Sequence, residues 1–481
     1  MDAAEIPSVP VKGPVLLIDP PWVIDADDNF WKNIGSCLPS LGLAYIASYL
    51  EARGHAVEIM DCTAMRYGLA DIERLFKLRA APPALLGITA TTPLIENALA
   101  VAAACKRLFP GTKVVLGGVH PTVLPGEVLA HPAVDIVARG EGEETMLEIA
   151  EGRKPGEILG ISFKEDGRVV HNPDRPLIKD LDTIPPPAYH LLPMDRYYPA
   201  TGSYRNLPAM SLFATRGCPG RCTFCYRTFY GRLRKRSAAN IVAEVELLYR
   251  NYGIREIAFY DDAFTSFKET VFEFCDLLHK RGLKLTWTCF TRVDLIDEEL
   301  LRAMKKAGCH LILFGVESGD ERILKAINKR IDLGRVKEAV AAARRIGIDT
   351  RASFMLGNQG ETEESVRKTI DFAFELDPDQ VHFNIATAYP GTELYNWARE
   401  NGYLTSSSWS DHNMSEINLR LPTISPERLK YYYARVHGDF YFRPRIVLRR
   451  LFKIRTLAQL RQEVRGFLAL LRIFGGRKER G

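Results

Sequence analysis

The 481 residues exceed what one hydrophobic core holds and predict two or three domains. An apolar content of 46% with 26% charged residues excludes a disordered or fibrous chain. The net charge of +5 is unevenly placed: Tyr441 to Gly481 carries twelve Lys/Arg against two Glu, so the remainder is mildly acidic.

Met1 to Gly13 is polar and proline-bearing and does not read as a signal peptide. No apolar run reaches the roughly 18 residues of a membrane span. Nine cysteines without a disulfide-like framework fit a reducing cytoplasm.

In chain order, Val15–Asp19 reads as a buried strand, and Leu38–Arg53 as a helix stopped by Gly54. Strands follow at Ala56–Met60, Ala84–Thr89, Lys113–Gly117 and Val134–Ala138. Helices are expected over Leu94–Phe109 and from Glu143 to Glu151. Alternation of this kind implies a doubly wound, flavodoxin-like parallel sheet over residues 14–150, with ligands at the carboxyl ends of the strands. The candidates there are the hydroxyls of Thr89 and Thr91, Gly117, Gly118 and His120, and the run Gly140, Glu141 and Gly142. Glycines at strand ends let a large ligand approach the main chain. His120 itself reads first as a surface or capping residue.

Residues 151–205 form a connector, with a hairpin turning at Asp166-Gly167 and a proline-rich stretch from Leu181 to Tyr189. Strand–helix alternation then resumes over 206–395. Strands are expected at 211–216, 254–260, 284–289, 310–316, 350–356 and 380–386. Helices are expected near 237–252, 268–281, 297–307, 334–346 and 362–376, with Ser237 and Thr362 as N-caps. Six such units suit a partial (β/α)6 barrel, whose working residues sit at strand ends. Asp261, Asp262, Glu317, Ser318 and Gly357 occupy such ends. Capping is the competing explanation for Ser318, and it stands level with function for the two aspartates.

After the first of these strands comes Thr-Arg-Gly-Cys218-Pro-Gly-Arg-Cys222-Thr-Phe224-Cys225-Tyr226. Three thiols on one short loop suit a soft metal centre or an iron–sulfur cluster. No fourth Cys or His lies nearby, the next being Cys275 and His279, so one iron of a four-iron cluster would stay open. The other cysteines, Cys37, Cys62, Cys105, Cys275, Cys289 and Cys309, stand singly and read as small buried apolar residues.

The motif Cys-x3-Cys-x-aromatic-Cys resembles that of the radical S-adenosylmethionine (SAM) superfamily. Taken with Leu38-Pro-Ser-Leu41-Gly-Leu-Ala-Tyr45, Gly117-Gly-Val-His-Pro-Thr122 and Val134 to Glu143, the chain resembles its cobalamin-dependent branch, which includes C-methyltransferases and an anaerobic tetrapyrrole cyclase. That resemblance implies a 4Fe-4S cluster on Cys218, Cys222 and Cys225. It also implies SAM contacts from Phe224, Tyr226, Asp261, Glu317, Ser318 and Gly357. Cobalamin would meet Leu41, Thr89, Thr91, Gly117, Gly118, His120, Gly140, Glu141 and Gly142. One departure is that Asp19 is followed by Pro-Pro-Trp-Val, not by the Asp-x-His loop that ligates cobalt elsewhere. The implied reaction is reductive cleavage of SAM to a 5′-deoxyadenosyl radical, hydrogen abstraction from an unactivated carbon, and methyl transfer from methylcobalamin. Oxidative cyclisation, a barrel that has lost cobalamin, and a non-catalytic sensor are the alternatives. Methylthiotransferases differ in carrying a second N-terminal cluster motif, which is missing here. A flavodoxin or ferredoxin would donate the electron.

The segment 396–481 is helical and basic. Its mixture of apolar and basic residues predicts a helix that covers the barrel, with peripheral contact at an anionic membrane and a lipid substrate as the sharper expectation. No nucleic-acid-binding pattern accompanies the charge.

Overall fold

Short apolar strands alternating with amphipathic helices build two parallel sheets that share one chain. The computed structural model describes residues 13–22, 36–200, 202–406, 408–453 and 464. In the first sheet, β1 (Val15–Asp19), β2 (Val57–Asp61), β3 (Leu85–Thr89), β4 (Lys113–Gly117) and β5 (Ile136–Ala138) run parallel in the order β2-β1-β3-β4-β5. The expected hairpin, β6 (Ile161–Glu165) and β7 (Arg168–His171), extends this sheet antiparallel. Its turn residues Asp166 and Gly167 have φ of 49° and 75°, the left-handed pair a two-residue hairpin demands. The winding order reverses between β1 and β3, which opens a crevice beyond their carboxyl ends.

Side chains alternate between the two faces of this sheet. Leu16, Ile18, Leu86, Ile88 and Leu116 pack on one side with the helix Ile95–Leu108. Val15, Leu17, Leu85, Val115 and Ile136 pack on the other with the helices Leu41–Glu51 and Glu143–Ala150.

The second sheet holds β8 (Ala209–Leu212), β11 (Glu256–Phe259), β12 (Thr286–Thr291), β13 (Cys309–Glu317), β14 (Asp349–Leu356) and β15 (Gln380–Ile385), all parallel and in sequence order. Between β8 and β11 lies a small antiparallel ribbon, β9 (Thr215–Arg216) with β10 (Arg234–Lys235). Beneath the barrel wall, Phe259, Phe274 and Trp287 meet edge to face, and the Trp287 indole N–H donates to the Ala307 carbonyl at 2.9 Å. Ser237 and Thr362 cap their helices through side-chain hydrogen bonds, as expected.

The run 211–216 does not stay one strand. The N–H groups of Ala214 and Thr215 turn away from the sheet to the buried Asp261 carboxylate, so pairing stops at Leu212. Similarly β5 begins at Ile136, because the Asp135 carboxylate accepts from the Val114 N–H at 2.7 Å.

A partial barrel leaves β15 as an open edge. The helix Pro426–Tyr441 closes it. Tyr441 Oη donates to the Val381 carbonyl at 2.9 Å and accepts from its N–H at 3.1 Å, and the Phe383 N–H donates to His437 Nε2 at 3.2 Å. The first part of the basic tail thus covers the barrel. Beyond Lys453 the tail lies outside the described residues except for Val464, and no described helix is long and apolar enough to cross a membrane.

Candidate active site

The carboxyl ends of the two sheets face each other across one cleft. One wall comes from β1, β3, β4 and β5 with Gly42, Leu43, Ile46 and Met146; the other comes from Phe213, Thr215, Arg216, Gly217, Tyr260, Asp261 and Asp262.

The first wall is cut deep by missing side chains. A Cβ on Gly87 would stand 2.8 Å from Leu17 Cδ2 and 3.1 Å from Met146 Cε. One on Gly142 would stand 2.6 Å from Ile46 Cδ1. Gly118, at φ 96°, lies so close to Ala90 and Thr89 that a Cβ would meet the Ala90 carbonyl at 2.7 Å. An apolar slot thus runs from the strand ends down between the sheet and two helices. Its shape and lining fit a large corrin with a long nucleotide tail.

On the second wall the chain leaves β9 through Arg216 and Gly217 into the cysteine loop. Cys218 and Cys222 are partly exposed, Cys225 is exposed, and all three are free thiols. They lie close enough to one another that a thiolate on Cys218 raises the pKa of both others, though burial is the larger cause and lifts Cys225 to about 12. Among the described residues no group of three such ligands is already drawn together at metal-binding distance. The loop therefore offers three neighbouring thiols without a closed cage, and that donor set fits a three-cysteine cluster.

The loop is fixed at both sides. The Thr223 N–H donates to the Ile327 carbonyl at 3.0 Å, its own carbonyl accepts from Leu394 N–H at 2.9 Å, and Asn328 Nδ2 donates to the Arg221 carbonyl at 2.8 Å. Phe224 packs on the small apolar cluster of Ile323, Leu324 and Ile327. Two cations that sequence reasoning missed stand beside the thiols, Arg292 and Lys329, each lowering the Cys222 pKa. Lys329 Nζ bonds Glu317 Oε1 at 2.8 Å. Burial opposes the Lys329 charge, but Glu317 and Cys222 outweigh it and its pKa is raised. Glu317 has φ 72° beside an irregularity in the β13–β14 register, which carries its carboxylate to this corner.

Of the other expected residues, Thr89, Gly117, Gly118, Gly140, Glu141, Gly142 and Asp261 line the cleft. Several are engaged by protein. Glu141 Oε1 accepts from Arg216 at 2.7 Å, its Oε2 from Arg234 at 2.9 Å and from the Ile178 N–H at 2.8 Å. Arg216 also donates to Glu143 Oε1 at 2.6 Å. Burial works against the Arg216 charge, yet Glu143 and Glu141 hold its pKa above the usual value. The Asp261 carboxylate holds the Ala214 and Thr215 N–H groups and Thr215 Oγ1; burial pushes it up to about 6 against those bonds. Its neighbour Asp262 points the other way, exposed to the cleft, and its charge raises the Cys225 pKa.

Six expected residues lie away from the cleft wall. His120 is fully buried, not at the surface; its ring meets Trp409 edge to face at 5.1 Å and its Nδ1 lies 3.3 Å from Thr92 Oγ1, so it does not line the cleft. Leu41 turns into the apolar core on the barrel side, and Gly42 and Leu43 take its place at the wall. Thr91 is exposed outside the cleft, at the start of the short turn Thr92–Leu94. Ser318 is buried and its Oγ pairs with Thr369 Oγ1 at 3.0 Å, while Asp320 caps the following helix. Gly357 is held against Leu429 of the C-terminal helix, where a Cβ would approach to 2.8 Å. Tyr226 also lies off the cleft wall, beside Gly391.

Comparison with known proteins agrees with this two-walled arrangement. The B12 binding domain profile matches residues 31–150 and the Radical SAM superfamily profile residues 212–373. An uncharacterized methyltransferase of Pyrococcus horikoshii, PH0819, is 36% identical over 94% of this chain and 98% of its own length. The cytidylyl-2-hydroxyethylphosphonate methyltransferase of Streptomyces wedmorensis is 30% identical, covering 81% of this chain and 82% of its own. Among solved structures, the radical SAM methyltransferase TsrM from Kitasatospora setae, with cobalamin and a [4Fe-4S] cluster bound, superposes with a TM-score of 0.69 at 18% identity. The match covers 96% of this chain and 99% of that one.

Proposed function

Since the chain belongs to the family of cobalamin-dependent radical SAM enzymes of the methyltransferase type, we propose that it moves a methyl group from SAM to an unactivated carbon of a small molecule inside the cleft between its two sheets. The observation that carries this reading is the single cleft itself. The glycine-cut slot of one sheet and the exit of the cysteine strand from the other open into the same space.

In this reading Cys218, Cys222 and Cys225 hold the cluster, and Gly87, Gly117, Gly118, Gly140 and Gly142 leave room for the corrin. When bound, the cluster supplies an electron to SAM and the corrinoid carries the methyl group. The protein's own part is placement and shielding. Arg292 and Lys329 offset the negative charge that three thiolates bring together. Glu317, held by Lys329, presents a carboxylate beside the open side of the loop, suited to the ammonium of SAM or its ribose hydroxyls. Phe213 and Tyr260 give the cleft an apolar wall that keeps water from a reactive carbon. A flavodoxin or ferredoxin is the fitting electron donor.

The test is an anaerobic incubation of reconstituted protein with SAM, dithionite and a small-molecule extract. S-adenosylhomocysteine and 5′-deoxyadenosine are expected together, with a labelled methyl group appearing on an extract component. Formation of neither compound would sink the proposal.

A further inference from the structure

The cysteine loop has a basic back. Phe224, between Cys222 and Cys225, packs on Ile323, Leu324 and Ile327, so the short helix Glu321–Ala326 lies directly behind the loop. Arg322 and Lys325 stand on the exposed side of that helix. Asn328 joins the loop to the chain beyond it: its Nδ2 donates to the Arg221 carbonyl at 2.8 Å, and its Oδ1 accepts from Arg330 Nε at 2.8 Å. Arg221 and Arg330 are themselves exposed, as is Arg227 two residues past Cys225. Five exposed cations thus gather on the loop and the elements behind it.

Several cations elsewhere on the barrel surface are paired: Lys268 with Asp297 at 2.6 Å, Lys337 with Glu375 at 2.5 Å, and Arg428 with Glu363 at 2.6 Å. Among the described residues, none of the five around the loop has a carboxylate within ion-pair distance. Deeper in, Arg292 and Lys329 are already taken by Asp294 and Glu317. Two exposed acids stand close by in the chain: Glu321 opens the short helix, and Asp332 caps the next one by accepting from the Arg335 N–H. The balance stays positive. Cations left to water in this way contribute little to stability, but they steer an oppositely charged partner and raise its encounter rate.

We propose that this patch is the docking surface for an acidic one-electron carrier protein of the flavodoxin or ferredoxin class, which reduces the cluster from there. The inference rests on the reading above that Cys218, Cys222 and Cys225 hold that cluster. A carrier seated on the patch is separated from the thiols by the loop itself and the one short helix behind it, so the electron needs no path through the barrel. One electron moves per encounter. The carrier is oxidised, a flavodoxin from the anionic hydroquinone to the neutral semiquinone, and the cluster is reduced by the same electron. No bond is made or broken and no proton is transferred. Encounters of this kind use small, charge-steered interfaces, which an exposed basic rim supplies.

The test mixes reconstituted holoenzyme anaerobically with a flavodoxin hydroquinone or, in parallel runs, a reduced ferredoxin, and follows oxidation of the carrier by stopped flow. With at least one carrier the second-order rate constant is expected to fall as salt rises from about 50 to about 500 mM. In R322E/K325E it should fall about tenfold or more at low salt, with the gap to wild type closing at high salt. NMR line broadening of the oxidised carrier, which reads binding without electron transfer, should weaken in the same order. Reduced methyl viologen is a small cation that needs no docking surface. With it the variant should be reduced at the wild-type rate or faster, at unchanged iron content and melting temperature. Equal rates and salt slopes in wild type and variant with both carriers would overturn the proposal. So would a parallel loss with viologen, because the two residues would then act on the cluster itself. Salt-sensitive binding to phosphatidylglycerol vesicles, with no broadening of either carrier, would overturn it in favour of a membrane. None of these results touches the methyl-transfer reading, which the SAM incubation with dithionite decides separately.

Discussion

Gly87 shows how a single missing side chain shapes the site. It sits within β3, where propensity disfavours glycine, and its absent Cβ lets Leu17 and Met146 close onto the main chain at the cleft wall. Gly87→Val should fill the slot at an overpacking cost of about 1–3 kcal/mol. The expected outcome is a protein that takes up iron normally but little corrinoid, read from iron content and the visible spectrum. Asp261 acts on the opposite wall. Asp261→Ala leaves the Ala214 and Thr215 N–H groups without their acceptor, at a cost of about 1–3 kcal/mol for each buried group. Because those residues lead into the cysteine loop, iron per chain should fall along with the melting temperature.

At the scale of elements, the turn after β14 contains a carboxylate with a measurable signature. Glu361 is buried, accepts from the Gly357 and Asn358 N–H groups, and burial raises its pKa to about 7. The folded state therefore binds this proton more tightly than the unfolded chain does. Its contribution to stability is full below about pH 4.5 and is lost as pH rises through about 7. Glu361→Gln keeps an acceptor and removes the buried charge, so it should flatten that slope and stabilise the protein at pH 8 by about 1–3 kcal/mol. Urea unfolding at several pH values checks this. The β15 edge gives a second element-scale outcome. Tyr441→Phe strands both the Val381 N–H and its carbonyl, and should cost about 1–3 kcal/mol. Hydrogen exchange at Val381 should rise with it.

For the whole molecule, the decisive contact is the buried ion-pair group that crosses between the two sheets. Arg216 leaves the cysteine strand and meets Glu141 and Glu143 at 2.7 and 2.6 Å, and Arg234 of β10 shares Glu141. The group ties the rim of the glycine-cut slot to the strand that feeds the cysteine loop. Arg216→Ala leaves two buried carboxylates short of charge, which should cost about 3–5 kcal/mol. Adding E143Q to it should recover part of that loss, a non-additivity that a double-mutant cycle measures. A second strap lies nearby, where Trp409 Nε1 donates to Glu127 Oε1 at 2.6 Å and Ser408 Oγ to Glu96 at 2.8 Å.

Most elements were legible from the sequence because their physical causes are local. Apolar runs of five or six residues, helix periodicity, the caps Ser237 and Thr362 and the Asp166-Gly167 turn all act within a few positions of themselves. The cysteine motif is local too, since three ligands on one loop need no distant partner to be recognised. What tertiary structure alone decided depends on residues far apart in the chain. It turned His120 onto Trp409, buried Ser318 against Thr369 and gave Glu141 to Arg216. Sequence spacing carries no trace of these choices, because each partner lies dozens to hundreds of positions away and burial, not motif, selects it.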